Sequence, residues 1–281
     1  MAPFFHCGDI ESPEGAHLSG TRISGICGLC LHHRKLHDSH LVPAAAYKPL
    51  RSAKSTNPHP LVVTDTSAYQ TSRQAKDYLL CFDCEQRFHA RGENWVLSHS
   101  YRAPGKFKFK KILRSNDPMF SGPDGAIYAA GAIPELDMNQ VIYFGASVFW
   151  RAAVHSWRRD NRIIALELGP YREPLRKFLY EDDPFPEHMV LHVWISSLDD
   201  HLCAVLNLPE SGTKHGIHTH QFGIPGMTFE LMVGSNIPRQ QFLYSTAPAP
   251  ERFMAVIRSV DLNDTRDMLT RLANARARIK K

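Results

Sequence analysis

The chain has 281 residues, 43% of them hydrophobic and 10% aromatic, which builds a packed core and suits one large domain or two modest ones. Its formal net charge of +5 fits a polyanionic partner without requiring one. No apolar run reaches the roughly twenty residues that span a bilayer, and MAPFFHCGDIESPEG has no basic stretch ahead of an apolar core, so the expectation is a cytoplasmic protein with no secretory signal and no membrane partner.

Residues 1 to about 26 show no period and read as an irregular arm. From about 27 to 97 the chain is rich in Cys and His, and its two dense pieces are 27-CGLCLHHRKLHDSHLVPAAAY-47 and 78-YLLCFDCEQRFHARGE-93. Between them, the polar, proline-containing stretch 48–77 reads as a long insertion with a short strand at Leu61 to Val63. The densest basic run follows, 102-RAPGKFKFKKILR-114. Its alternation predicts a strand with Lys106, Lys108 and Lys110 on one face, Phe107 and Phe109 on the other, and Lys111 at its end. Two readings fit that run: the solvated face of an ordinary strand, or a surface that tracks phosphates.

Turn formers in 115-SNDPMFSGPDG-125 mark a boundary, dividing the chain into 1–115 and 116–281. Beyond it, 140–160 is patterned as a long helix carrying Arg151, Arg158 and Arg159 on a solvated surface, and 172-REPLRKFLY-180 as a second helix opened by the turn 169-GPY-171. The period then changes to two, and 188–197, 201–208, 214–224 and 227–234 read as strands joined by short turns, hence as a mostly antiparallel sheet. Residues 262–281 read as an amphipathic helix, acidic at its start and basic at its end. The fold class is therefore α+β in both units. The second unit has no glycine-rich phosphate loop, nucleophile elbow or paired acids. Sensing, binding of a protein partner and homo-oligomerisation stay open as its role. His218 and His220 share a strand face but have no third ligand near them in sequence.

Chemistry concentrates in the cysteines. In a reducing compartment they read as metal ligands or free thiols rather than disulfides. Cys27 with Cys30 and Cys81 with Cys84 form two C-x-x-C pairs. Two intervening residues let a tight turn aim both sulfurs at one ion, and four thiolates complete a tetrahedral structural zinc shell. Cys7 and Cys203 are left over and read as buried or idle thiols. A zinc so saturated does no hydrolysis, so any chemistry must come from residues displayed around it.

The order of a first C-x-x-C, a histidine strand 39-SHLVP-43 and a closing 79-LLCFDCE-85 resembles the zinc-bearing HNH endonucleases, over about residues 27–93. The resemblance implies a ββα-metal, treble-clef domain that hydrolyses phosphodiester bonds of nucleic acid, DNA before RNA, in mobile-element or antiviral-defence settings. It implies His40 as the general base and Glu85 as ligand of a catalytic Mg²⁺ or Mn²⁺, with Asp77 near the position of the residue that orients the base. Ser39 stands where the family has an acidic or histidine ligand, and Asp38 points to the opposite strand face. Glu93 or His89 is then the candidate replacement ligand. The rival reading is a catalytically inactive, zinc-stabilised module that binds nucleic acid or protein.

Overall fold

A computed structural model describes residues 23–51, 58–63, 68–197, 203–249 and 251–257. Cys7 and the helix expected at 262–281 lie outside the described residues, as does most of the amino-terminal arm.

The arm ends in a strand. β1 (Ser24–Ile26) pairs antiparallel with β2 (His33–His40), and the turn between them carries the first cysteine pair. A short 3₁₀ segment (Ala44–Leu50) follows, then the small hairpin of β3 (Leu61–Val63) and β4 (Ala68–Gln70). β5 (Lys76–Cys81) returns beside β2, completing a three-stranded sheet ordered β1-β2-β5. The chain turns directly into α1 (Phe82–Phe88), which passes through a π-helical turn (His89–Glu93) into α2 (Asn94–His99). Such π-turns recur at functional sites, because one wide turn re-aims the side chains beyond it.

β6 (Tyr101–Ala103) and β7 (Lys106–Phe107) form a short hairpin, and the chain then becomes α3 (Lys108–Arg114). The strand expected at 106–111 is thus a helix from its third residue onward. Phe107 and Phe109 are both buried, as the alternation required, but Lys110 is also buried, at 2% exposure. Helical geometry breaks the period of two, and Phe109 and Lys110 both turn inward.

β8 (Phe120–Gly122) and β9 (Gly125–Tyr128) precede the long α4 (Met138–Val154), whose first turn is capped by the Asp137 carboxylate accepting from Gln140 N at 3.2 Å. β10 (Trp157–Arg159) and β11 (Arg162–Ile164) form a hairpin after it, and α5 (Arg172–Tyr180) follows. Next come β12 (Met189–Ser196), β13 (Asn207–Lys214), β14 (Ile217–Ile224), β15 (Met227–Val233), the short α6 (Arg239–Leu243) and β16 (Met254–Ile257). The large sheet has seven strands ordered β13-β14-β15-β12-β16-β9-β8, antiparallel throughout except where β12 runs parallel to β16.

The helix expected over 140–160 stops at Val154, and Arg158 and Arg159 belong to β10. The strand expected at 201–208 falls instead at 207–214. Its turn into β14 is His215–Gly216, both with positive φ (50° and 77°), the backbone of a two-residue hairpin whose twist matches the strands.

α4 is the centre of the molecule. One side packs on the large sheet, where Phe149 meets Phe222 at 4.9 Å and Phe144 meets Phe229 at 5.4 Å between ring centroids. The other side faces the cysteine-bearing half, where Trp150 and Tyr143 each lie 6.0 Å from Phe88. Gly92 of the π-turn lets that half approach closely, since a Cβ there would sit 3.0 Å from the Phe144 backbone. One apolar cluster therefore runs from Cys27 to Met254, across the sequence boundary at 115. Among the described residues no helix is long and apolar enough to cross a membrane.

Candidate metal centre and basic cleft

The four cysteines converge. Cys27 and Cys30 sit in the β1–β2 turn, which is closed by Leu31 N donating to Cys27 O and Cys27 N to His32 O, each at 2.9 Å. Cys81 is the last residue of β5, and Cys84 lies in the first turn of α1. All four are buried, with their sulfurs within 4.8 Å of one another. Cys81 N donates to Cys27 Sγ at 3.3 Å, and hydrogen bonding from Cys84 is the main cause that pulls the Cys27 thiol down to about 4. Thiolate, the form that binds metal, is thus favoured at Cys27, while burial pushes the Cys81 thiol up and the hydrogen bond to Cys27 pushes up that of Cys84. Among the described residues this is the one group of three or more Cys, His, Asp or Glu whose ligand atoms come together. The spare thiol Cys203 is buried in the core.

His40 ends β2, and Arg151 of α4 holds its backbone, Nη1 donating to His40 O at 2.7 Å. The imidazole itself makes no hydrogen bond among the described residues. Burial is the largest influence lowering its pKa; Asp38 and Glu85 push it up, while Lys76 and Arg151 push it down. The same Arg151 donates to Glu93, to Ser147 O at 3.3 Å and to Ser147 Oγ at 3.2 Å, and its guanidinium lies 4.9 Å from the Phe88 ring centroid. Arg151 is therefore not solvated helix surface but the pin between α4, the π-turn and the histidine strand. Glu93, spent on this pair, is not a replacement metal ligand, and His89 is exposed.

Ser39 is built into the sheet, 1% exposed, accepting from Leu80 N at 3.1 Å and donating to His37 O at 3.3 Å. Asp38 forms an ion pair with Lys76. Asp77 hydrogen-bonds His155 Nε2 at 2.8 Å and its neighbour Tyr78 N at 2.8 Å, and makes no bond to His40. Burial would raise its pKa, but these two bonds and nearby Arg158 bring it below the ordinary carboxylate value. Glu85 keeps one enclosed carboxylate oxygen, Oε1, with no partner among the described residues.

His40 opens onto a cleft of about 550 Å³ lined by Ala44, Ser72, Arg73, Gln74, Lys76, Arg158, Arg159 and Asp160. Four cations line it against one carboxylate, a local excess that attracts anions. The basic run named from sequence lies elsewhere. Lys106, Lys108 and Lys111 are exposed but do not line this cleft. Lys110 turns inward to Ser197 O and so is withdrawn from any phosphate-binding surface. Arg158 and Arg159, expected on a solvated helix surface, line this cleft instead, on a hairpin whose turn is Asp160–Asn161. His220 is buried at 2% exposure with Nδ1 3.0 Å from Ser211 Oγ, while His218 is exposed, and the two do not join a metal-ligand group.

Comparison of the chain with protein-family models, with curated proteins and with solved structures finds no match.

Proposed function

We propose that the protein is a zinc-stabilised, HNH-like endonuclease that hydrolyses phosphodiester bonds of nucleic acid, DNA in the first instance, at the cleft beside His40. The observation that carries the reading is a strand histidine with a free imidazole, facing a basic cleft, on the strand next to a four-cysteine centre. A knuckle in a hairpin turn followed by a second cysteine pair at a strand end and helix start supports the treble-clef reading. Four buried thiolates suit zinc and leave it no open position, so the ion serves as a brace.

The chemistry then belongs to the displayed residues. An imidazole whose pKa is lowered by burial is neutral near pH 7 and accepts a proton from an attacking water. The cleft cations hold the phosphate and offset charge on its oxygens. The residues do not fit a resident Mg²⁺ or Mn²⁺, because Asp38, Ser39 and Glu93 are each committed to other partners. Of the expected ligands only Glu85 keeps an unpartnered carboxylate oxygen; it is enclosed, near enough to His40 to raise its pKa, and does not line the cleft.

That shortage of ligands favours a second reading, a zinc-stabilised module that binds nucleic acid without cutting it. One experiment separates the two. Purified protein is incubated with plasmid DNA, and with RNA, in Mg²⁺ or Mn²⁺, beside His40→Ala and Glu85→Ala. Strand scission lost in both variants supports the nuclease. Binding that survives His40→Ala and weakens steeply with salt, without scission under any ion, supports the binder. Equal nicking by wild type and His40→Ala would sink the assignment of the base.

A further inference from the structure

The β10–β11 hairpin brings the second half of the chain to the cleft, and its two arginines are unlike the other cations there. Lys76 is paired with Asp38, and Arg73 Nη1 lies 3.8 Å from Asp160, whose other oxygen accepts from Tyr69 OH at 2.9 Å. Arg158 and Arg159 pair with no carboxylate among the described residues. Their base is rigid, for Trp157 is fully buried and its Nε1 donates to Arg151 O at 2.8 Å. Two guanidinium groups that form no ion pair among the described residues, Arg158 lying within electrostatic reach of Asp77, thus stand on a fixed support in the cleft that His40 lines.

A second observation is independent of charge. Six side-chain polar atoms among the described residues are enclosed yet unpartnered; two of them, Arg159 Nε and Gln74 Oε1, belong to residues that line this cleft, and a third, Tyr47 OH, lies within electrostatic reach of Arg159. Tyr47 shares the 3₁₀ segment of the lining residue Ala44. Tyr47 is 2% exposed, and its hydroxyl, raised to about 12 by burial against the opposing charge of Arg159, keeps its proton as a donor. Folded proteins leave few such groups unpaired, and a cluster of them calls for a partner. The donors match a tetrahedral anion: a guanidinium fork takes two phosphate oxygens, the phenol a third, and a half-turn of the Gln74 amide presents its N–H₂.

We infer that Arg159, flanked by Arg158 and backed by Tyr47 and Gln74, forms a phosphate pocket that grips the nucleic-acid backbone beside His40. The second half of the chain thereby supplies the substrate clamp for the first. This rests on the nucleic-acid reading above, and the pocket takes the phosphoryl group whatever base is attached to it.

The test is fluorescence anisotropy of a labelled DNA duplex with the full chain in EDTA-free buffer lacking divalent ions, where binding is read without cleavage. Wild type is compared with Arg158→Gln, Arg159→Gln, Arg159→Lys and Tyr47→Phe, and with Lys177→Gln as an equal change of charge on the exposed side of α5. Circular dichroism and zinc content verify the fold of each. Arg159→Gln is expected to weaken binding at least tenfold and to lower the log–log salt slope by about one, while Lys177→Gln changes neither. Arg159→Lys is expected to keep the slope and still lose affinity, since an ammonium has no fork. It decides the matter if Arg159→Gln does not fold. Inorganic pyrophosphate should compete against wild type and fail against Arg159→Lys. Wild-type binding matched by all four cleft variants would overturn the pocket and leave the nucleic-acid reading intact. No binding by wild type to DNA or RNA would overturn that reading and the pocket with it.

Discussion

Replacing Glu93 with Gln probes the joint on which the candidate site hangs. The Arg151 side chain is 1% exposed and that of Glu93 12%, so the pair is nearly sealed from water. Glu93→Gln keeps the shape of the side chain and an oxygen that still accepts from Arg151 Nη2, but removes the charge and leaves the buried guanidinium without its counter-ion. Breaking a buried pair from one side costs about 3–5 kcal/mol, against about 0–1 kcal/mol for an exposed one. In a domain whose total stability is about 5–15 kcal/mol, that is more than half of the margin at the low end of the range. Urea unfolding of the zinc-loaded protein, followed by tryptophan fluorescence, measures it, because Trp150 and Trp157 are buried against this joint. Glu93→Gln and Arg151→Met should each cost about 3 kcal/mol or more. The double replacement Glu93→Leu/Arg151→Met should recover part of the loss, since no unpaired charge remains, but not the hydrogen bond to His40 O. Single-variant costs below about 1 kcal/mol would refute the claim that this pair pins the histidine strand to α4.

Acid should loosen the fold through His220. Its pKa is lowered from the ordinary 6.5 to about 4, chiefly by burial. The unfolded chain therefore binds the proton first, and the stability contributed above pH 6.5 is lost as pH falls toward about 4. The full loss is about 3 kcal/mol by linkage, and His220→Gln should flatten the stability–pH curve over that window. Metal analysis of purified protein should find about one zinc per chain, and Cys81→Ser should lose it together with the fold of the three-stranded sheet, with thermal unfolding as the readout. A zinc-free protein that unfolds at the wild-type temperature would contradict the brace.

Where local pattern and tertiary environment agreed, the fold was legible. β12, β14 and β15 announce themselves by alternation because one face meets α4, and the apolar stripe of α5, nine residues long, directly follows the three-residue turn that opens it. β13 did not, because an edge strand written NLPESGTK is polar along most of its length and is identified by its partner rather than by its own pattern. The cysteine quartet was legible because C-x-x-C spacing is a local geometric constraint that survives a long insertion. Arg151 was not, since its partner Glu93 lies 58 residues away and nothing local distinguishes a buried arginine from a solvated one. Lys110 failed for a related reason: alternation of charge and aromatic looks the same before a strand gives way to a helix. The cleft was hidden because its wall is assembled from β5, the loop before it and a hairpin some eighty residues on.

The most direct measurement of the central claim is the pH dependence of DNA strand scission by wild type, with His40→Ala from the same purification as the baseline. A neutral imidazole with a lowered pKa should give a rate that is level above about pH 6.5 and falls only in more acidic buffer. His40→Ala should be slower by about a hundredfold to ten-thousandfold at pH 7.5 and should lose the acidic limb. Equal rates with superimposable pH profiles would show that His40 is not the base.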